Sequence, residues 1–186
     1  MKIFFTWIVL LMCFFTSHKL IAQVGWQIVS NFGQTGLSSV DFANSTIAVA
    51  VGGDVLNPGF IMRSTDAGLT WVNQVSGVYV SLTAISFAND NIGIVVGYSG
   101  VILRTTDAGI TWTKQDSGAT AAFWGVCFFD NNIAVAVGHN GYISRTTNAG
   151  INWIQQTSNS TSWLEAVTVV SATVGFAVGQ NGTILK

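Results

Sequence analysis

Short apolar runs, separated by polar and glycine-bearing breaks, fill the chain from residue 37 to residue 186, and each run returns at a fixed interval. The first is Leu37-Ser38-Ser39-Val40-Asp41-Phe42, and it comes back as Leu82–Phe87, Phe123–Phe128 and Leu164–Val169. Apolar residues alternate with small or polar ones toward the end of each copy, which predicts a strand. The second run, Ile47–Gly52, returns as Ile92–Gly97, Ile133–Gly138 and Val174–Gly179. It is almost wholly apolar, as a strand covered on both faces would be. Between the two lie the turn formers Asn44-Ser45, Asn89-Asp90, Asp130-Asn131-Asn132 and Ser171-Ala172. Glycine pairs then make a tight link, Gly97-Tyr98-Ser99-Gly100, Gly138-His139-Asn140-Gly141 and Gly179-Gln180-Asn181-Gly182, which is longer in its first copy, Gly52 to Gly59. A third strand is predicted over Phe60–Arg63, Val101–Arg104, Tyr142–Arg145 and Thr183–Lys186, and a fourth carrying Trp71, Trp112 or Trp153 with Gln74, Gln115 or Gln156.

Those three tryptophans stand 41 residues apart. A unit of about 40 to 45 residues with four strands and no helix has the size of a propeller blade, which buries both its faces only when stacked between neighbours. The predicted fold is therefore all-β, a β-propeller of four-stranded antiparallel blades over residues 23–186. Four blades are expected at about 30–75, 76–116, 117–157 and 158–186, the last incomplete and the whole part of a larger ring. An alternative is a closed four-bladed ring, in which the stretch Gln23 to Val29 with Trp26 supplies the fourth strand of the last blade.

The most strongly repeated stretch joins the third and fourth strands. It reads Ser64-Thr65-Asp66-Ala67-Gly68-Leu69-Thr70-Trp71, then Thr105-Thr106-Asp107-Ala108-Gly109-Ile110-Thr111-Trp112, then Thr146-Thr147-Asn148-Ala149-Gly150-Ile151-Asn152-Trp153. The Asp or Asn side chain can accept backbone N–H bonds within a tight turn, the glycine permits a positive φ, the hydroxyls complete the cap, and the tryptophan buries a large ring. Asp66 and Asp107 are thus read as turn residues rather than catalytic acids, because a catalytic site is assembled once whereas a turn is needed in every blade. The pattern Ser/Thr-x-Asp-x-Gly-x-Thr-Trp resembles the Asp-box, or BNR repeat. The longer pattern from Gly97 to Trp112 resembles the repeats of the photosystem II assembly and stability factor family, a likeness that covers about residues 24–186. The resemblance implies a propeller of chloroplasts, cyanobacteria or secreted bacterial relatives that acts as a lumenal or periplasmic scaffold holding a partner protein.

Composition narrows the function. The chain is 49% hydrophobic and 8% charged, with 20 glycines; average domains are roughly 25% charged. No basic stripe exists, which argues against nucleic-acid binding. At the start, Lys2 precedes the apolar run Ile3–Phe15 and a more polar stretch that ends on Ala22, a pattern that predicts a signal peptide over residues 1–22 and an exported chain with no membrane span after its removal. Cys13 lies in that leader, so the mature chain keeps only Cys127, which excludes a disulfide within the chain and is expected to be a buried structural thiol.

The rival function class is a carbohydrate-active propeller, since sialidases also carry Asp-boxes and carbohydrate is the alternative ligand. A sialidase needs an arginine cluster and a tyrosine–glutamate pair. Here Arg63, Arg104 and Arg145 share one repeat position, expected to cap carbonyls or form ion pairs at blade edges, or else to form a basic arc for an acidic partner. Of the acids outside the boxes, Asp41, Asp54, Asp90, Asp116, Asp130 and Glu165, only Asp41 and Glu165 fall in first strands near the axis. No catalytic, metal or cofactor residue is assigned, and no enzyme activity is expected. His139, in a Gly-His-Asn-Gly turn, is read as an exposed turn residue. The loops entering each blade and those joining its second and third strands fall on one side, so a partner-binding face is expected at Asp54, Tyr79, Tyr98, His139 and Trp163, with Trp124 beside them. The function expected is a secreted or periplasmic scaffold for a protein partner.

Overall fold

A computed structural model describes residues 28–186 apart from residues 34, 55, 57 and 172. The leader and Trp26 lie outside the described residues. Three four-stranded antiparallel sheets and one three-stranded sheet follow one another along the chain, each a simple meander. The first holds β1 (Leu37–Phe42), β2 (Ala48–Gly52), β3 (Phe60–Ser64) and β4 (Val72–Gln74). The second holds β5 (Leu82–Phe87), β6 (Gly93–Gly97), β7 (Ile102–Thr105) and β8 (Thr113–Gln115). The third holds β9 (Phe123–Phe128), β10 (Ala134–Gly138), β11 (Ile143–Thr146) and β12 (Ile154–Gln156). The fourth holds β13 (Leu164–Ser171), β14 (Val174–Gly179) and β15 (Ile184–Leu185). This is an all-β propeller architecture.

Inner strands pack in series, β1 on β5, β5 on β9 and β9 on β13. Because strand side chains alternate between faces, one apolar run feeds two cores. In β6, Val95 joins Val49, Val51, Ile61, Leu82 and Leu103 between the first two blades. Its neighbours Ile94 and Val96 join Phe123, Phe128, Ala134 and Ala136 between the second and third. A smaller core of Val137, Leu164 and Ala177 joins the third blade to the fourth. The series does not close into a ring among the described residues. Leu37, Val40 and Phe42 stay exposed on the first blade, and Val170, Val178 and Ile184 on the fourth.

Two details depart from the sequence reading. The fourth strands start one residue after each box tryptophan, at Val72, Thr113 and Ile154. Trp71 and Trp153 instead donate their ring N–H back into the turn, to the carbonyls of Gly68 (2.9 Å) and Gly150 (3.1 Å). The links after the second strands are single 3-10 turns at Tyr98–Gly100, His139–Gly141 and Gln180–Gly182. Each needs two left-handed residues in succession, Ser99 and Gly100 (φ 56° and 69°), Asn140 and Gly141 (54° and 70°), Asn181 and Gly182 (57° and 68°), which explains the Ser/Asn-Gly pairs.

Candidate functional site

Because every blade is a meander, its loops gather at two ends. One end carries the turns between first and second strands and the box turns. The other carries the 3-10 turns and the segments linking one blade to the next, and is called here the linker end.

The box end is held by a closed set of bonds. In the second blade the Thr105 hydroxyl donates to Asp107 Oδ1 (2.7 Å) and accepts from the Gly109 N–H (2.9 Å). Asp107 also accepts from the Thr111 N–H (2.9 Å) and, at Oδ2, from the Thr111 hydroxyl (2.6 Å). Ser64, Asp66, Gly68 and Thr70 repeat the arrangement in the first blade, with contacts of 2.8, 2.9, 2.8 and 2.6 Å. In the third, Asn148 Oδ1 accepts from the Thr146 hydroxyl and the Asn152 N–H, both at 2.9 Å, and the Thr146 hydroxyl accepts from the Gly150 N–H (3.0 Å). The Thr70 hydroxyl, then its backbone N–H, then Ser64 hold Asp66 down to a pKa of about 2. Burial pushes Asp107 upward, but the Thr111 hydroxyl and N–H, the Thr105 hydroxyl and the Ile110 N–H together outweigh it and leave that carboxyl below its ordinary value. Trp71, Trp112 and Trp153 are half-buried; the Trp112 ring nitrogen is enclosed without a partner.

The box turns also clasp neighbouring blades. Arg63 donates from Nε to the Ala108 carbonyl of the next box (2.7 Å), and Arg104 to that of Ala149 (2.6 Å). Gly150 lies so close to the preceding blade that a Cβ there would stand 2.3 Å from Ile94 Cδ1. Arg145 lines an apolar cleft of about 510 Å³ between the third and fourth blades with Val137, Ile143 and Leu185. Arg63 and Arg104 therefore serve as carbonyl caps across blade seams.

Most remaining acids have local backbone partners. Asp41 Oδ2 accepts the Phe87 N–H across the first seam (2.7 Å), a role that Ser86 repeats toward Phe128 (3.2 Å). Asp54 accepts from Leu56 (2.8 Å), Asp116 from Gly118 (2.9 Å), and Asp130 from Asn132 (2.8 Å) and Ile133 (2.7 Å). The bonds from Asn132 and then Ile133 lower the Asp130 pKa. Glu165 is exposed. Cys127 is half-buried rather than fully buried, because it sits at the register position of Asp41 and Ser86 along the seam; burial, and then the Asp41 charge, raise its pKa. Among the described residues no group of three or more His, Cys, Asp or Glu could hold a metal ion. No helix is long and apolar enough to cross a membrane.

The linker end is built differently. Trp163 stacks on the His139 imidazole with centroids 4.0 Å apart and planes 23° from parallel. Trp124 lies 5.4 Å from His139 and 6.5 Å from Trp163, and Tyr98 meets Trp124 edge-on at 5.2 Å and 75°. Four rings from three blades thus form one cluster. His139 is not the exposed turn residue its sequence context suggests: it is half-buried, with Nε2 enclosed and unbonded, as is Trp124 Nε1. Tyr98 and Trp163 keep 41% and 38% of their surface open, enough for a ligand to reach both rings. Tyr79 stands apart, 90% exposed, on a shallow groove of about 610 Å³ that also runs past Asp54, Pro58 and Tyr98. The structure thus joins Tyr98, His139 and Trp163 through Trp124, and leaves Asp54 and Tyr79 as an outlying pair. Trp124 stands where the other copies place Ser38, Thr83 and Glu165, and that disagreement between repeats is the signal that finds it.

Antiparallel four-stranded blades, each tied by a Ser/Thr-x-Asp/Asn-x-Gly turn, define a BNR-repeat β-propeller. The sequence profile of the family described as photosynthesis system II assembly factor YCF48 matches residues 19–156, and the chain belongs to that family. A search of curated proteins found no match. Among solved structures the fold is shared with YCF48 bound to a D1 peptide, at 20% identity and TM-score 0.64 over 78% of this chain and 47% of that one. It is shared with YCF48 from Cyanidioschyzon merolae at 22% identity and TM-score 0.69, over 86% and 55%. It is also shared with the GH74 enzyme of Niastella koreensis at 14% identity and TM-score 0.61, over 80% and 29%. The chain spans about half the length of the two YCF48 chains it resembles.

Proposed function

We propose that this propeller is a non-enzymatic scaffold that holds a protein partner at its linker end. The observation that carries the reading is the cluster of Tyr98, Trp124, His139 and Trp163, drawn from three blades at positions the repeat does not conserve within itself. Large rings fixed by their neighbours lose little side-chain freedom on binding, which suits them to anchor an interface. The box end lacks that character, since its hydroxyls and carboxylates are already engaged with one another. A solved YCF48 with a D1 peptide bound supports peptide recognition as a use of this fold. The GH74 likeness extends to fold alone and brings no residue of this chain into a glycosidase role. Export completes the proposal, motivated by the apolar leader; subcellular fractionation of a tagged chain would place it outside the cytoplasm, and a wholly cytoplasmic full-length product would overturn that part.

The test is affinity capture with the wild type, the Tyr98→Ala/Trp163→Ala variant, and the box-end variant Asp107→Asn as control. Partners held by the wild type and the control are expected to be lost from the double variant. Equal capture by all three would overturn the reading.

A further inference from the structure

The two ends of the blades differ in charge. Arg63, Arg104 and Arg145 all stand at the box end, one residue before the ends of β3, β7 and β11, and the first two are committed to carbonyls. The linker end carries Asp54 on the Tyr79 groove, Asp116 just past β8, and exposed Glu165 in β13, two residues after Trp163. One base, Lys114 in β8, stands at that end too, lining a groove with Ser99 and Asp116. Across residues 28–186 the sequence has eight acids (Asp41, Asp54, Asp66, Asp90, Asp107, Asp116, Asp130, Glu165) and five bases (Arg63, Arg104, Arg145, Lys114, Lys186). With the three arginines at the opposite end, the end that bears the aromatic cluster holds, among the described residues, three acids, Asp54, Asp116 and Glu165, against the single base Lys114.

We propose that the linker end is a binding site for a cationic side chain, a lysine or arginine on an extended segment of the partner, seated on the open faces of Tyr98 and Trp163 with Glu165 as its counter-charge. The inference rests on the protein-binding reading above and adds the partner's charge. Aromatic faces carry the negative part of the ring quadrupole and attract a cation placed over them. The rings here are fixed in advance, Trp163 by its 4.0 Å stack on His139 and Trp124 by the edge-on Tyr98, so little ordering is needed when a cation arrives. An acidic segment would meet Glu165 and Asp116 and be repelled. A sugar would use the same ring faces with no preference for charge.

The experiment titrates the full chain, following tryptophan fluorescence and heat of binding, with four probes. Three are short glycine–serine peptides that differ only in carrying several lysines, several glutamines or several glutamates; the fourth is a neutral oligosaccharide. The lysine peptide is expected to bind about tenfold more tightly than the glutamine peptide. Trp163→Ala and Tyr98→Ala should each weaken it roughly fivefold or more, while Trp163→Phe and Tyr98→Phe largely keep it, which separates loss of the ring from loss of the fold. Glu165→Gln should weaken it about threefold and lessen its dependence on salt, and Asp90→Asn at the box end should leave it unchanged. Equal binding of the lysine and glutamine peptides, abolished by Trp163→Ala, would overturn the cation assignment and leave the protein-binding reading standing. Tighter binding of the glutamate peptide or the oligosaccharide would overturn it too. So would lysine binding indifferent to both ring-to-alanine variants, the mark of a diffuse acidic surface, or no binding of the lysine peptide at all.

Discussion

The box end and the linker end come from the same four blades, yet they spend their polar and aromatic groups in opposite ways. At the box end the hydroxyls, carboxylates and two of the arginines meet partners fixed by the repeat: Thr105 bonds Asp107, Asp107 bonds Thr111, and Arg63 and Arg104 cap the next turn. At the linker end the rings come from positions where the copies differ, and they find each other across blades. Sameness every 41 residues serves closure of a turn that each blade needs. Difference serves recognition, which needs an asymmetric surface. Substitutions at the box end should accordingly change stability and spare binding, and those at the linker end the reverse.

The largest effect expected is at the seam. Gly150 has φ 84°, and an added Cβ would press on Ile94. Gly150→Ala combines a left-handed strain with overpacking, and should cost about 3 kcal/mol in urea-induced unfolding. Next is the box carboxylate. Asp107→Ala removes three acceptor contacts from a partly exposed turn and should cost about 2 kcal/mol. Asp107→Asn should cost only about 0.5 kcal/mol, because Asn148 already does this work in the third blade through one oxygen. Equal losses for Ala and Asn would show that the Oδ2 bond to the Thr111 hydroxyl carries the turn.

The same carboxylates give the box end a pH signature. The folded-state pKa of Asp66 is about 2, well below the ordinary aspartate range, and that of Asp107 is lowered as well. Groups depressed in this way contribute stability that is fully present above the unfolded value and is lost as pH falls through the folded one. Thermal midpoints followed by circular dichroism should therefore decline as pH drops from about 4 to about 2. The Asp66→Asn/Asp107→Asn variant should show a shallower decline over that window. An unchanged slope would mean that the boxes do not control acid unfolding.

How much of this could be read from the sequence differs between the two ends for the same reason. A four-stranded blade is visible in one copy of the repeat and certified by the others, so the order of strands, the tight glycine links and the box turn are legible, while the 3-10 form of the links is not. What the period does not encode is the distance between unlike residues in different blades. Tyr98, Trp124, His139 and Trp163 span 66 positions, and their stacking follows only once blades two, three and four are set side by side. His139 departs from its sequence reading for that reason: its own turn is built of polar and small residues, and the ring that covers it comes from the next blade. The fourth strands begin one residue later than the sequence suggests because the tryptophan belongs to the turn before pairing begins, Trp71 and Trp153 bonding back into it.

The smallest effect is expected at Tyr79, and it decides how far the recognition surface reaches. This ring is 90% exposed and makes no ring contact with the cluster among the described residues. Removing an exposed side chain of this kind should change unfolding free energy by less than about 0.5 kcal/mol. If the groove past Asp54 and Pro58 carries part of a bound segment, Tyr79→Ala should still weaken binding about threefold, less than Trp163→Ala, because the Tyr79 ring is not held by neighbours and must be ordered on contact. Peptides of increasing length separate the two cases. A short probe that covers only Tyr98 and Trp163 should not sense Tyr79→Ala, whereas a longer one should. If neither probe senses it, recognition is confined to the four-ring cluster, and the groove between the long β2–β3 link that carries Asp54 and the β4–β5 segment that carries Tyr79 plays no part in it.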